Sequence, residues 1–288
     1  MIAATGWRDY ELLDCSDGER LERWGKYILI RPDPQVIWKN RRNHPLWESP
    51  DAVYTRSKTG GGSWTINNLP PEWRICYGKL TFTVKPMGFK HTGLFPEQAA
   101  NWDRIMPLIK SAGRPIRVLN LFAYTGGATV ASAAAGAEVC HVDAAKNMVQ
   151  RAKENAELSG LGSAKIRYIV DDCKKFVERE ARRGHAYDAV IMDPPSYGRG
   201  PSGELWKLEE NVDELIAKTA KLLSDQPLFF LVSSYTAGLS PSSIAYMLEL
   251  ELTRRFGGSV SADELGLPVT ASGAVLPCGG AALWVADK

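Results

Sequence analysis

Residues Arg117–Asp143 read RVLNLFAYTGGATVASAAAGAEVCHVD. Val118–Phe122 is a short apolar run, the pattern of a buried strand. Ala123-Tyr124-Thr125-Gly126-Gly127 is a turn with paired glycines, and Ala128–Ala135 is an Ala-rich stretch suited to a helix lying close on a sheet. Gly136 is placed to close that helix as a C-terminal cap. Glu138–Val142 is a second strand, finishing on an acid, Asp143. In such a unit the helix N-terminus offers free N–H groups and the positive end of its dipole. Glycines let backbone approach a ligand, and an acid at the tip of the second strand can hold two ribose hydroxyls. The unit is expected to bind a nucleoside with an anionic group beside it; the alternative is a crossover whose glycines serve packing alone. No Gly-Lys-Ser/Thr follows, so this is not a P-loop, and the incomplete G-x-G-x-x-G argues against a dinucleotide.

Downstream, the alternation continues. Ala145–Ser159 reads as a helix closed by Gly160, and Lys165–Val170 as a strand ending in Asp171-Asp172-Cys173. Lys174–Arg183 is a polar helix, and Tyr187–Met192 a strand ending in Asp193-Pro194-Pro195-Ser196-Tyr197. Leu205–Leu223 is a helix, Leu228–Val232 a strand followed by Ser233-Ser234-Tyr235, and Pro241–Phe256 a helix. Late strands are expected around Ser259–Leu265 and Ala281–Ala286. Strands alternating with helices imply a largely parallel sheet covered on both faces. Ligands bind at the strand C-termini of such sheets, where the acids and turns of this chain gather.

The Asp193-Pro194-Pro195 segment carries the chemistry. Two prolines fix φ and remove N–H donors, so the carbonyls are left as acceptors. A carboxylate and a neighbouring carbonyl can together accept from one exocyclic amine and aim its nitrogen at an electrophile. Tyr197 is placed to stack on a base. The plainer alternative is a rigid strand exit, which Asp-Pro often forms.

Upstream, residues 1–84 read as a small β-rich domain, with strands at Tyr10–Asp14, Tyr27–Arg31, Gln35–Trp38, Val53–Arg56, Trp73–Cys76 and Leu80–Val84. Arg31-Pro32-Asp33-Pro34, Gly60-Gly61-Gly62 and Leu69-Pro70-Pro71 break them. The tryptophans crowded here are expected mostly to fill its core. The basic run Lys39–His44 is a candidate phosphate contact, although such runs are more often only solvated. Residues 85–115 connect the domains through a strand, a turn and a helix over Pro96–Ile109, and residues 116–288 form the ligand-binding domain.

The 288 residues are 44% hydrophobic and 24% charged, with a formal net charge of +2. That composition is ordinary for a soluble globular protein and neither demands nor excludes a nucleic-acid partner. No run is apolar enough to span a membrane, and the N-terminus lacks a signal-peptide core, so a cytoplasmic protein is expected. The five cysteines stand singly, which argues against a zinc site or a disulfide framework, and the four histidines have no metal-ligand spacing.

HTGLFPEQAANWDRI, VLNLFAYTGGATVASAAAGA, VDAAKNMVQRAKENAELSGL, DDCKKF and YDAVIMDPPSYGRG, spread from Lys85 to Tyr235, resemble the class I S-adenosylmethionine-dependent methyltransferases. More narrowly, they resemble the bacterial large-subunit ribosomal RNA methyltransferases that modify cytosine C5 or guanine. The resemblance implies a Rossmann-like α/β sheet, mostly parallel with a C-terminal antiparallel strand. It implies S-adenosylmethionine as cofactor, S-adenosylhomocysteine as product, no metal, and ribosomal RNA as partner. Phe122, Ala123, Tyr124, Thr125, Gly126 and Gly127 would wrap the methionine moiety. Asp143 and Ala144 would take the ribose, and Asp171, Asp172 and Cys173 would lie at the adenine. Asp193, with Pro194, Pro195 and Tyr197, would lie at the transferable methyl and target base. Thr92, Phe95 and Glu97 would form part of the wall between cofactor and substrate, although the Arg usual after that Gln is Ala99 here. Many class I enzymes also end the first strand on an acid, where this chain has Asn120 or Ala123.

Cytosine C5 methylation requires a thiolate that adds to the ring. At the positions where the cytosine-modifying relatives carry that Cys, this chain has Ser234 and Ser196. N-methylation is therefore expected, with Cys278 as the thiol for a C5 alternative. A second alternative is a non-catalytic RNA-binding protein that keeps the cofactor fold.

Overall fold

The computed structural model describes residues 1–57, 61–199, 205–236 and 238–287. Gly60 of the glycine breaker and Gly200 of the last matching stretch lie outside the described residues. The chain divides into two compact units, residues 1–100 with 266–278, and residues 101–265 with 279–288.

The first unit contains β1 (Ile2–Ala3), β2 (Tyr10–Ser16), β3 (Glu19–Trp24), β4 (Tyr27–Pro32), β5 (Ala52–Arg56), β6 (Gly62–Ile66), β7 (Trp73–Tyr77) and β8 (Leu80–Val84). β2 to β6 form one sheet in chain order, and β7 and β8 pair as a hairpin. Its β-rich character and most of the expected strands are as read from sequence. Gln35–Trp38 is a correction: it forms no strand, and two of its carbonyls accept from Asp17 and Gly18 at the β2–β3 turn. β3, ERLERW, escaped the sequence reading because its charged residues face inward. Glu22 is fully buried and held by Arg31, whose Nε and Nη2 donate at 2.6 and 2.7 Å, and by the Tyr10 hydroxyl at 2.8 Å. Arg20 pairs with buried Asp33 at 3.0 Å. Trp24, Trp47 and Trp73 are buried in its core, whereas Trp7 and Trp64 are half-buried and Trp38 is exposed, so only half of the tryptophans here fill the core. Within the basic run, Arg42 lies over the Trp47 ring and pairs with Glu19, so it serves the fold.

The second unit follows α1 (Ala99–Ser111) with β9 (Arg117–Leu121), α2 (Gly127–Ala134), β10 (Glu138–Asp143), α3 (Lys146–Leu158), β11 (Ile166–Val170), α4 (Cys173–Arg182) and β12 (Ala189–Met192). β13 (Tyr197–Arg199), β14 (Leu205–Lys207), α5 (Leu208–Ala220), β15 (Phe229–Ser234), α6 (Pro241–Leu248), α7 (Arg254–Phe256), β16 (Ser259–Pro268) and β17 (Val275–Val285) complete it. The sheet order is β16-β17-β15-β12-β9-β10-β11. β15, β12, β9, β10 and β11 run parallel, and β17 pairs antiparallel with β15. This is the Rossmann-like sheet the sequence implies. Leu119, Leu121, Val142 and Met192 pack with Phe176 of α4, Leu215 of α5 and Ile244 of α6 on one face. α2 and α3 cover β9, β10 and β11 on the other.

Three boundaries differ from expectation. Leu205–Lys207 is a strand paired with Tyr197–Arg199, so that helix starts at Leu208. Pro241–Phe256 is interrupted by a π-helical turn at Glu249–Thr253. The last strand begins at Val275, earlier than its apolar stretch.

Candidate active site

Register aligns the strand ends. Leu121 stands level with Val142 and Met192, and Asp143 with Val170. Phe122, Ala144, Asp171 and Asp193 therefore leave the carboxyl ends of four neighbouring strands together. Chain order reverses between β9 and β12, since β9 leads to β10 on one side and β12 returns on the other. Crevices at such reversals are where open α/β sheets bind ligands.

The Gly-turn is held in an unusual conformation. Phe122 and Tyr124 have φ of +55° and +50°, and Gly126 has +84°. Each left-handed non-glycine residue costs roughly 1 kcal/mol or more, and such strain gathers at functional sites. Several bonds keep it there. The Tyr124 N–H donates to Asp143 Oδ2 at 2.8 Å, and the Ala145 N–H to Oδ1 at 2.9 Å. Asn155 of α3, fully buried, donates from Nδ2 to the Thr125 carbonyl at 2.9 Å. The glycines are required by packing: a Cβ on Gly126 would meet Ala152 Cβ at 2.7 Å, and one on Gly127 would meet the Trp102 ring at 2.6 Å. Ala123 and Thr125 are buried beneath the turn.

Asp143 is half-buried, and burial pushes its carboxyl above the ordinary value while its two backbone donors pull it back. A carboxylate oxygen accepts about two hydrogen bonds, so each oxygen keeps acceptor capacity for a ribose hydroxyl. Ala144 beside it is exposed. Asp171 accepts from the Asp172 N–H and pairs with Arg179, while Asp172 caps α4 by accepting from the Lys175 N–H at 2.9 Å. Both acids thus hold their own loop. Cys173 is buried, accepts from the Phe122 N–H at 3.2 Å and clasps β9 to α4. Asn120, where an acid is common, turns into the core and donates to Thr129 at 2.9 Å.

Asp193 is half-buried at the end of β12, and Pro194 is buried. The Trp206 indole donates to the Pro195 carbonyl at 2.6 Å, and the Leu208 N–H to the Ser196 carbonyl at 3.0 Å. Each of those two carbonyls thus takes one hydrogen bond within the loop. Tyr197 is 58% exposed on the β13–β14 hairpin, as a stacking residue requires. Thr92, Phe95 and Glu97 belong to the first unit, where Thr92 and Glu97 are buried.

Sequence reasoning passed over Asn155, Trp102 and Trp206. Asn155 had a signal: it shares the buried stripe of α3 with Val149, Ala152 and Ala156, and a lone polar residue on such a stripe has a partner. Trp206 carried none, because its contact depends on how the hairpin folds back.

A family model described as S-adenosylmethionine-dependent methyltransferase matches residues 56–224. The chain is 32% identical over 237 residues to a ribosomal RNA large subunit methyltransferase K/L of Shewanella frigidimarina, covering 75% of this chain and 32% of that protein. It is 35% identical over 207 residues to one of Magnetococcus marinus, covering 70% and 26%. The chain thus spans about a third or less of the length of these relatives. A crystal structure of a SAM-dependent methyltransferase from Agrobacterium tumefaciens superimposes with a TM-score of 0.92 at 35% identity, over 99% of this chain and 93% of that one.

Proposed function

The chain belongs to the S-adenosylmethionine-dependent methyltransferases, and on that footing we propose that it methylates a base of ribosomal RNA in the cytoplasm. The observation that carries this reading is the alignment of the strained Gly-turn, Asp143 and Asp193 at the ends of adjacent strands, beside the reversal in strand order. The similarity to ribosomal RNA large subunit methyltransferases supports RNA as the acceptor.

S-adenosylmethionine supplies an electrophilic methyl group when bound. Tyr124–Gly127 forms the collar for its methionine end, and Asp143 accepts from its ribose hydroxyls. Residues 171–173 flank the adenine side through their backbone, since their side chains are engaged locally. Asp193 and the Pro194 carbonyl accept from the target amine and orient its nitrogen. The carboxylate then offsets positive charge as it develops. Most of the rate enhancement is positioning.

Nitrogen is the favoured acceptor over cytosine C5. Ser234 is buried and accepts from the Thr236 N–H, and a serine hydroxyl is a weak nucleophile without an adjacent base. Burial and the Glu97 carboxylate push the Cys278 thiol well above its ordinary value, which works against a thiolate.

Titration calorimetry with S-adenosylmethionine, S-adenosylhomocysteine and NAD tests the reading. Selective binding of the first two, with Asp193→Ala retaining the cofactor and losing methyl transfer to ribosomal RNA, is expected. Failure of both to bind, or turnover by Asp193→Ala, overturns it.

A further inference from the structure

The loop after β8 is built to present one aromatic ring. It closes like a hairpin, with the Lys85 N–H donating to the Thr92 carbonyl and the Met87 N–H to the His91 carbonyl, both at 3.0 Å. The Trp64 indole donates to the Met87 and Phe89 carbonyls at 2.9 and 3.2 Å, and Arg31 Nη1 to the Lys90 carbonyl at 2.9 Å. At the tip this bracing holds Phe89 at a φ of +63° with 68% of its surface exposed. The turn accounts for the positive φ, which Gly or Asn would supply with less strain; the exposed ring of Phe89 is the part that folding does not explain.

Lys90 beside it is half-buried and donates to the Pro32 carbonyl at 3.1 Å. No carboxylate pairs with it among the described residues. The neighbouring acids are committed, Asp33 to Arg20 and Glu22 to Arg31. Burial and the surrounding Arg20, Arg31 and Arg56 pull Lys90 down to about 8, against the opposing pull of Asp33. A half-buried ammonium whose hydrogen bond goes to a carbonyl, with guanidiniums nearby, is suited to pair with an anionic group of a ligand.

We infer that Phe89 and Lys90 form a nucleotide clamp on the RNA substrate, Phe89 stacking on an unpaired base and Lys90 contacting the adjoining phosphate. This rests on the RNA reading above. Stacking on an exposed ring is tolerant of sequence, and one ammonium–phosphate contact adds a single unit of salt dependence. The clamp is therefore a general grip on single-stranded RNA and does not choose the target base.

The test is fluorescence anisotropy with a labelled, unstructured RNA oligonucleotide across a salt series. Phe89→Ala is expected to weaken binding by roughly five- to a hundredfold, and Phe89→Trp to preserve it. Lys90→Gln should lower the slope of log affinity against log salt by about 0.7. Phe89→Asn separates the clamp from a folding role, because Asn tolerates the left-handed region: RNA binding should fall while the melting temperature holds or rises. Affinity for S-adenosylhomocysteine should not change in any variant. Wild-type binding that survives Phe89→Ala overturns the clamp and leaves the RNA reading standing. A wild-type protein that binds cofactor and no RNA overturns both.

Discussion

The Tyr124 backbone N–H donates to Asp143 Oδ2 at 2.8 Å, joining the turn after β9 to the tip of β10. One carboxylate therefore does two jobs. It fixes the collar in which Phe122, Tyr124 and Gly126 are left-handed, and under the proposed function its remaining acceptor capacity serves the ribose hydroxyls.

Asp143→Ala removes both. Loss of charge-assisted bonds worth about 1.5–3 kcal/mol is expected to weaken S-adenosylhomocysteine binding by roughly ten- to a hundredfold. Because burial raises the Asp143 carboxyl, its protonation on acidification starts at higher pH than for an exposed Asp, and wild-type affinity should fall there first. Calorimetry on both proteins checks this; a variant within twofold of wild type would remove Asp143 from the site.

Gly127→Ala sets two effects of opposite sign against each other. Gly127 opens α2, where Ala is favoured by up to about 1 kcal/mol on helix propensity. The new methyl would sit 2.6 Å from the buried Trp102 ring, which demands a backbone or ring shift costing about 1–3 kcal/mol. Packing should win, and the melting temperature should fall. A rise would mean that Trp102 moves aside freely.

Glu22 gives the first unit an acid limit. Burial works to raise its pKa, but Arg31, Arg20 and the Tyr10 hydroxyl overcome this and hold it down to about 2. A depressed folded-state pKa contributes stability above the ordinary value of 4.5 and loses it as pH falls through the interval toward 2. The shift corresponds to something on the order of 3 kcal/mol. Tryptophan fluorescence between pH 5 and pH 2 should therefore show stability declining in the wild type. Glu22→Gln should be weaker at neutral pH, since Arg31 loses its buried counter-charge, and flatter across that interval. An equally steep decline in the variant would assign the acid limit elsewhere.

The strand–turn–helix–strand unit was legible because its signals are local. An apolar run, a glycine pair, an Ala-rich stretch and a terminal acid each act over a few residues. β3 was not legible, because Arg20 and Glu22 are inward-facing only once Asp33 and Arg31 arrive from later in the chain. The resemblance places Cys173 and Asp172 at the adenine; the structure adds a local bond that no sequence pattern shows for each, Cys173 clasping Phe122 and Asp172 capping α4.

By itself, the sequence determined the alternation of strands and helices, the strand ends on which Asp143 and Asp193 sit, and the lack of a thiol at Ser234 and Ser196. Each follows from residue type and short-range spacing. Only the tertiary structure decided that Asn155 holds Thr125, that Ala152 and Trp102 are what make Gly126 and Gly127 necessary, and that Phe89 is held strained and exposed by Trp64 and Arg31. These are contacts between residues far apart in the chain. Their energies depend on gaps of a few tenths of an ångström that no local pattern encodes.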